Sequence, residues 1–393
     1  MPKIKNLNPS TIGRIGGSDL AIPFRMPDGR IGYLWGDTFD GTIPAVGSGP
    51  DWRSPVLTIA NDTPVGMPIG FVSSPGNGKQ LWSYPHNNGE FTTILPTDAI
   101  SVGDRIYLWV MVANGLGNEI RCEMWYSDDL AQHWYIALGT HQLPDGSPRW
   151  STGYSGGRRT MVTWERGGDG YIYIIGTGGL ARDKNASMWR VAETTTAIED
   201  PYSWDAWQYR DGSWRWGKGD ADEILPAGTR LGEICLRRIQ NHWVLSGFDA
   251  GAYQAFVRVG YGPIEYINWH TAPQTNPVRG AEQGSGTYDI QERLYGCYVH
   301  PSSKFENADG STGTFAMIVS TWAVSGNPYR AMQYRIPTPA ALGPVSTSGA
   351  ATGKTVSPLA AAKSRTSAPA TTTIRGGAHD DVRRVRPDGS RQH

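Results

Sequence analysis

Cysteine is scarce in this chain. The three present, Cys122, Cys235 and Cys297, lie far apart, and no pair has CxxC spacing. That excludes a disulfide framework and a four-cysteine zinc site, and the thiols read as buried strand residues. Charge of either sign is not in excess, since 36 basic side chains balance 36 acidic ones. Partners selected by bulk charge, such as duplex nucleic acid or an anionic membrane, are therefore not expected. No run of about 18 apolar residues exists to cross a bilayer as a helix. Long stretches of helical periodicity are also few. The opening residues, MPKIKNLNPS, lack the apolar core of a secretory signal. The expectation is a protein made in the cytoplasm and not exported by the usual route.

Turn formers and aromatics are plentiful instead: 50 Gly, 27 Pro, 16 Trp and 18 Tyr in 393 residues. This composition favours an all-β fold. Five segments share a turn followed by a strand of aromatic and branched residues. They are DGRIGYLWGDTF, GDRIYLWVMVAN, DGYIYIIGTGG, QNHWVLSGFDAG and TGTFAMIVSTWAV. Aligning Gly36, Val110, Gly176, Gly247 and Ser320 gives spacings of 74, 66, 71 and 73 residues. Each segment is preceded by one strand and followed by at least one more. A unit of three or four antiparallel strands repeated five times predicts a five-bladed β-propeller, with a β-sandwich plus a second β-domain as the alternative. The blades fall at about 12–75, 92–140, 158–216, 229–275 and 290–337, within one domain spanning 1–337. Residues 338–393 are rich in Ala, Ser, Thr, Pro and Gly and nearly free of aromatics, which predicts a disordered low-complexity tail.

In a propeller the start of each first strand and the end of each second strand share a rim. Blade I places Asp19 and Asp37 at these two positions, joined by a Pro27-Asp28-Gly29 turn that pairs Met26 with Arg30. An unbroken register then sets Asp19 opposite Asp37, with β-carbons about 5 Å apart. Like charges that close repel. One carboxyl takes up a proton, a cation bridges them, or the pair performs acid–base chemistry. An Asp at a strand end also commonly caps a turn, and Asp37 taken alone fits that equally well.

Further residues converge on the same mouth in this reading: Glu233 of blade IV, Asp98 of blade II, and Tyr295 and His300 of blade V. Carboxylates among aromatic faces suit glycosidic cleavage, with one acid protonating the leaving oxygen and another activating water or attacking carbon. Arg53 either holds an aspartate ionised or binds a backbone carbonyl. Trp35 and Trp322 are candidate sugar platforms, although Trp35 also suits packing between blades. No dense Asp/Asn loop marks a metal site and no cofactor is called for. A cation bridging the two aspartates, or held in the channel, stays open.

The pieces GSDLAIPF, YLWGDTF, DWRSPVL, VGDRIYL, LGEICL, YGCYVHP and VSTW, in this order, carry a resemblance to the DUF4185 family of actinobacteria and their phages. The resemblance implies a five-bladed propeller and an endo-acting D-arabinanase. Such an enzyme would cut the D-arabinan of mycobacterial-type arabinogalactan and lipoarabinomannan with inversion. Carried over onto the SDL and GDT pieces, the family's catalytic aspartates are Asp19 and Asp37. Glu233 is then a substrate acceptor or a modulator of an aspartate's pKa. Asp98, in LPTDAI, is a departure, since a small neutral residue is expected there. Two further readings share the fold. One is a phage minor tail protein that binds cell-wall arabinan and contacts other tail proteins, acting from the virion at the host surface. The other is a propeller serving only as a protein-interaction scaffold, which accounts for neither the acids nor the aromatics.

Overall fold

A computed structural model describes residues 3–8, 11–41, 49–137, 157–280, 293–322 and 329–340. Five antiparallel sheets form the five blades of a β-propeller. The inner strands are Gly17–Arg25, Thr93–Val102, Met161–Arg166, Leu231–Ile239 and Arg293–Val299. The second strands are Ile31–Phe39, Arg105–Ala113, Tyr171–Thr177, His242–Asp249 and Phe315–Trp322, and each lies within one of the five repeated segments. The tail expected after residue 337 falls, from 341 onward, outside the described residues. No helix among the described residues is long and apolar enough to cross a membrane.

Side chains alternate between the two faces of each blade and so feed two inter-blade cores. In blade II, Ile106, Leu108 and Val110 pack with Leu20, Ile22 and Leu34 of blade I. Tyr107 and Trp109, on the other face, pack with Trp164, Trp189 and Trp204 of blade III. Trp35 is wholly buried with Tyr33, Ile318 and Ala331 between blades I and V, so its role is packing rather than sugar contact. All three cysteines are free and buried, as their spacing suggested.

Two features were not anticipated. Blade III carries a fifth strand, Ser213–Gly217, paired with Asp205–Arg210. The N-terminal strand Lys3–Asn6 pairs with Arg330–Ile336 as the outermost strand of blade V, joining the first residues to the last blade. Asn8 reinforces this seam. Its amide donates to the carbonyls of Ser18 and Tyr329 at 3.2 and 3.1 Å, and its side-chain oxygen accepts from Ala331 N at 3.0 Å.

The central channel is crossed by an ion pair. Arg237 of blade IV donates to both oxygens of Asp98 in blade II, at 2.9 and 3.0 Å, and to the Pro23 carbonyl of blade I at 2.7 Å. Asp98 also accepts from Thr163 Oγ1 and Trp164 N of blade III, at 2.6 and 3.3 Å. Asp98 is therefore not at the mouth. Its inner strand begins at Thr93 and runs on to Val102, which puts Asp98 at mid-strand and inside the channel. Asp98→Ala leaves Arg237 as an uncompensated buried charge. The expected cost is about 3–5 kcal/mol of unfolding free energy in a denaturant titration; a loss below about 1 kcal/mol would show that the pair does not tie the blades together.

Candidate active site

The inner strands of blades I, IV and V each present their third residue, Asp19, Glu233 and Tyr295, to one cavity of about 210 Å³. Asp37, near the end of the second strand of blade I, joins them with Tyr298, Tyr329 and Arg182. The two aspartates share this cavity, but not through the unbroken register expected. The hairpin starts in register, with Met26 N donating to Arg30 O at 2.9 Å and Arg25 opposite Ile31. Leu20 then faces Trp35 and Ser18 faces Thr38. Asp19 on one strand thus opposes two residues, Gly36 and Asp37, on the other, and Ala21 is the compensating extra residue.

Leu20 and Ala21 adopt φ values of 64° and 50°, a left-handed conformation that such residues seldom take outside functional sites. Leu20 N is held there by Ser320 Oγ of blade V at 2.8 Å. The bulge drives the Asp19 carboxyl against Gly36, where a Cβ would stand 2.4 Å from Asp19 Oδ1. This is why glycine precedes Asp37 in the GDT piece.

The carboxyls differ in surroundings. Asp19 is 7% exposed. Its Oδ2 accepts from Tyr295 OH at 2.8 Å, Tyr329 also hydrogen-bonds to it, and Oδ1 is buried with no partner. Burial, then repulsion from Asp37, pushes its pKa up to about 8 against the two tyrosine hydrogen bonds, with Glu233 adding to the rise. Asp37 is half-buried, and its Oδ1 accepts from Trp52 Nε1 at 2.7 Å and Thr93 Oγ1 at 2.9 Å. Burial raises its pKa to about 6, and those two hydrogen bonds restrain the rise. Trp52 is itself fixed, lying between Phe39 and His86 with ring centroids 6.0 and 4.2 Å away.

Glu233 accepts from Arg182 Nη2 at 2.9 Å, which neutralises it beside the aspartates. The remaining sequence candidates lie elsewhere. Arg53 donates to the carbonyls of Gly13, Arg14, Asp51 and Gly78 and pairs with the Asp51 carboxylate at 3.2 Å, so it binds backbone carbonyls and its aspartate partner is Asp51 rather than Asp19 or Asp37. His300 follows the inner strand of blade V and lies at the opposite rim from Tyr295. It is buried against Tyr33 OH at 2.8 Å, and burial lowers its pKa to about 3. Trp322 ends its strand, but its side chain lies outside the described residues. Sequence reasoning missed Trp52, Thr93, Arg182 and Tyr329. Only Trp52 carried a signal, as part of the DWRSPVL piece. Among the described residues no cluster of three or more His, Cys, Asp or Glu is placed to hold a metal ion.

A five-bladed propeller with paired carboxyls at one mouth is the setting in which the family match falls. Residues 8–335 match the family described as "Domain of unknown function (DUF4185)", and the chain belongs to that family. A curated relative, Notoamide biosynthesis cluster protein J' of Aspergillus versicolor, is 25% identical over 328 residues, covering 78% of this chain and 81% of that protein. Among solved structures, a putative hydrolase from Bacteroides ovatus is 12% identical with a TM-score of 0.51, covering 83% of this chain and 87% of its own. A family 117 glycoside hydrolase from Zobellia galactanivorans is 10% identical with a TM-score of 0.48, covering 85% and 89%. The Bacteroides likeness is one of fold, and the Zobellia likeness carries no argument.

The raised pKa of Asp19 has a stability consequence. The native state holds a proton that the unfolded state releases near the ordinary carboxylate value. Stability is therefore full below that value and is lost as pH rises toward about 8. Asp19→Asn removes this loss, so the variant should melt above wild type at pH 8, with the gap closing toward pH 4. Each pH unit of the window contributes about 1.4 kcal/mol. Parallel melting curves at all pH values would contradict a protonated, buried Asp19.

Proposed function

We propose that the chain is a glycoside hydrolase acting through Asp19 as general acid and Asp37 as general base. The observation that carries this reading is the placing of two carboxyls in one cavity in unlike surroundings: Asp19 is 7% exposed with one oxygen unpartnered, whereas Asp37 is half-buried and accepts from Trp52 and Thr93, so that the pKa of Asp19 is pushed up to about 8 and that of Asp37 to about 6. Between those values Asp19 holds a proton and Asp37 does not, the division of labour that glycosidic hydrolysis requires. Asp19 transfers its proton to the leaving glycosidic oxygen as the bond from the anomeric carbon breaks. Asp37 takes a proton from the water that attacks that carbon from the opposite face, giving inversion. Tyr295 and Tyr329 orient Asp19, and Trp52 and Thr93 orient Asp37. Glu233, paired with Arg182, helps to keep Asp19 protonated and modulates its pKa. The substrate, D-arabinan of mycobacterial-type walls cut internally, comes from the family resemblance.

The test is incubation with arabinogalactan, following released oligosaccharides and the anomer first formed. Wild type should release short products, with kcat/KM falling below about pH 6 and above about pH 8. Asp19→Asn and Asp37→Asn should each lower kcat/KM by about 10²–10⁴-fold. Binding of the polymer without cleavage by wild type would leave the non-catalytic tail-protein reading in its place. Undiminished activity in either variant would remove the assigned pair.

A further inference from the structure

We propose that the outer flank of blades III and IV carries a second carbohydrate-binding cleft, separate from the cavity at Asp19 and Asp37. The extra strand of blade III builds one wall. It sets Trp216 opposite Trp207 and Trp214 opposite Tyr209, and the Trp207 and Trp214 rings lie within 10° of parallel, 5.9 Å apart. The facing wall is the segment after the third strand of blade IV, which supplies Glu265, Tyr266, Asn268 and Trp269. Between them lies a cleft of about 150 Å³ that shares no residue with the cavity at the channel mouth.

Two observations point to a ligand. The first is exposed aromatic surface: Tyr266, which lines the cleft, is 81% exposed. A ring of that size left in water at a cleft edge offers a flat apolar face for a partner. The second is unmet hydrogen bonding. Glu265 Oε2 and Trp269 Nε1 are both shut away from water without a partner. A buried acceptor and a buried donor of this kind each carry a cost that a ligand hydroxyl would relieve. Aromatic faces beside a carboxylate acceptor, an indole donor and an amide match a sugar, which presents C–H faces and hydroxyls together. An alkylammonium ion would use the rings and the carboxylate but not the indole donor.

The main cavity, at about 210 Å³, holds only a short stretch of a polymer. A second contact on the same chain would retain the polymer between cuts by raising its effective concentration. The identity of the polymer rests on the function proposed above, whereas the cleft does not depend on the assignment of Asp19 and Asp37.

The test is affinity electrophoresis of the full chain in gels containing soluble arabinogalactan, on an Asp37→Asn background so that the polymer stays intact. Tyr266→Ala, Trp214→Ala and Glu265→Gln should each weaken retardation, by about tenfold in apparent Kd for an aromatic truncation. The same substitutions in the active chain should leave turnover of a short arabinan oligosaccharide, too short to span both sites, unchanged. Glu265→Gln keeps shape and Tyr266 is exposed, so unaltered melting curves are expected to accompany the loss. Unchanged retardation in all three variants overturns the cleft, and so does a parent that the polymer does not retard. Cleavage of arabinogalactan by the active chain, measured in parallel, shows whether the active-site reading falls with it.

Discussion

The guanidinium of Arg237 and the carboxylate of Asp98 meet inside the channel, where inner strands of four blades converge on them. Both side chains are almost wholly shut off from solvent. An ion pair in that position is costly unless its remaining donors and acceptors are also met. The Pro23 and Leu236 carbonyls, Thr163 and Trp164 meet them, except at Arg237 Nε, which is buried without a partner. Four of the five blades thereby share one network, and their inner strands are fixed in depth relative to each other. The positive charge in the channel is a side chain of the protein, set well inside the mouth.

That depth matters because residues of three blades must reach one cavity. Asp19, Glu233 and Tyr295 occupy equivalent third positions of three inner strands, so a slip of any blade along the axis would separate them. The bulge at Leu20 and Ala21 adds a local adjustment. It rotates Asp19 out of the plain ladder and presses it against Gly36, away from water, while Asp37 keeps its indole and hydroxyl donors. One hairpin thus provides two carboxyls with unlike environments: burial raises both, and repulsion from Asp37 adds to the rise at Asp19.

Much of this was legible in the sequence. The second strands are the most continuous aromatic and branched runs in the chain, each introduced by a turn, and they identified themselves. The hairpin of blade I was legible because Pro27-Asp28-Gly29 fixes its register from the closed end. What failed did so for local reasons. Pro96 reads as a strand break, since proline cannot donate to a ladder, yet it sits where the register shifts and the strand runs through it. That error displaced Asp98 from the channel to the mouth. His300 lies at the far rim because the inner strand of blade V runs from Tyr295 at the mouth to the opposite side, a direction its residues alone do not reveal. Lys3–Asn6 has too few residues and too little apolar alternation to announce a strand. Trp52, Thr93, Arg182 and Tyr329 come from other elements, and only folding brings them to the carboxyls.

The seam between the first and last blades runs directly beside Asp19. Ser18 N donates to the Tyr329 carbonyl at 3.1 Å, and the Asn8 amide grips the carbonyls of both residues. Tyr329 in turn hydrogen-bonds the Asp19 side chain. The surroundings of Asp19 are therefore assembled from segments at opposite ends of the propeller sequence. A nascent chain emerging from the ribosome can stack its earlier blades, but the setting of Asp19 stays incomplete until the last blade meets the first.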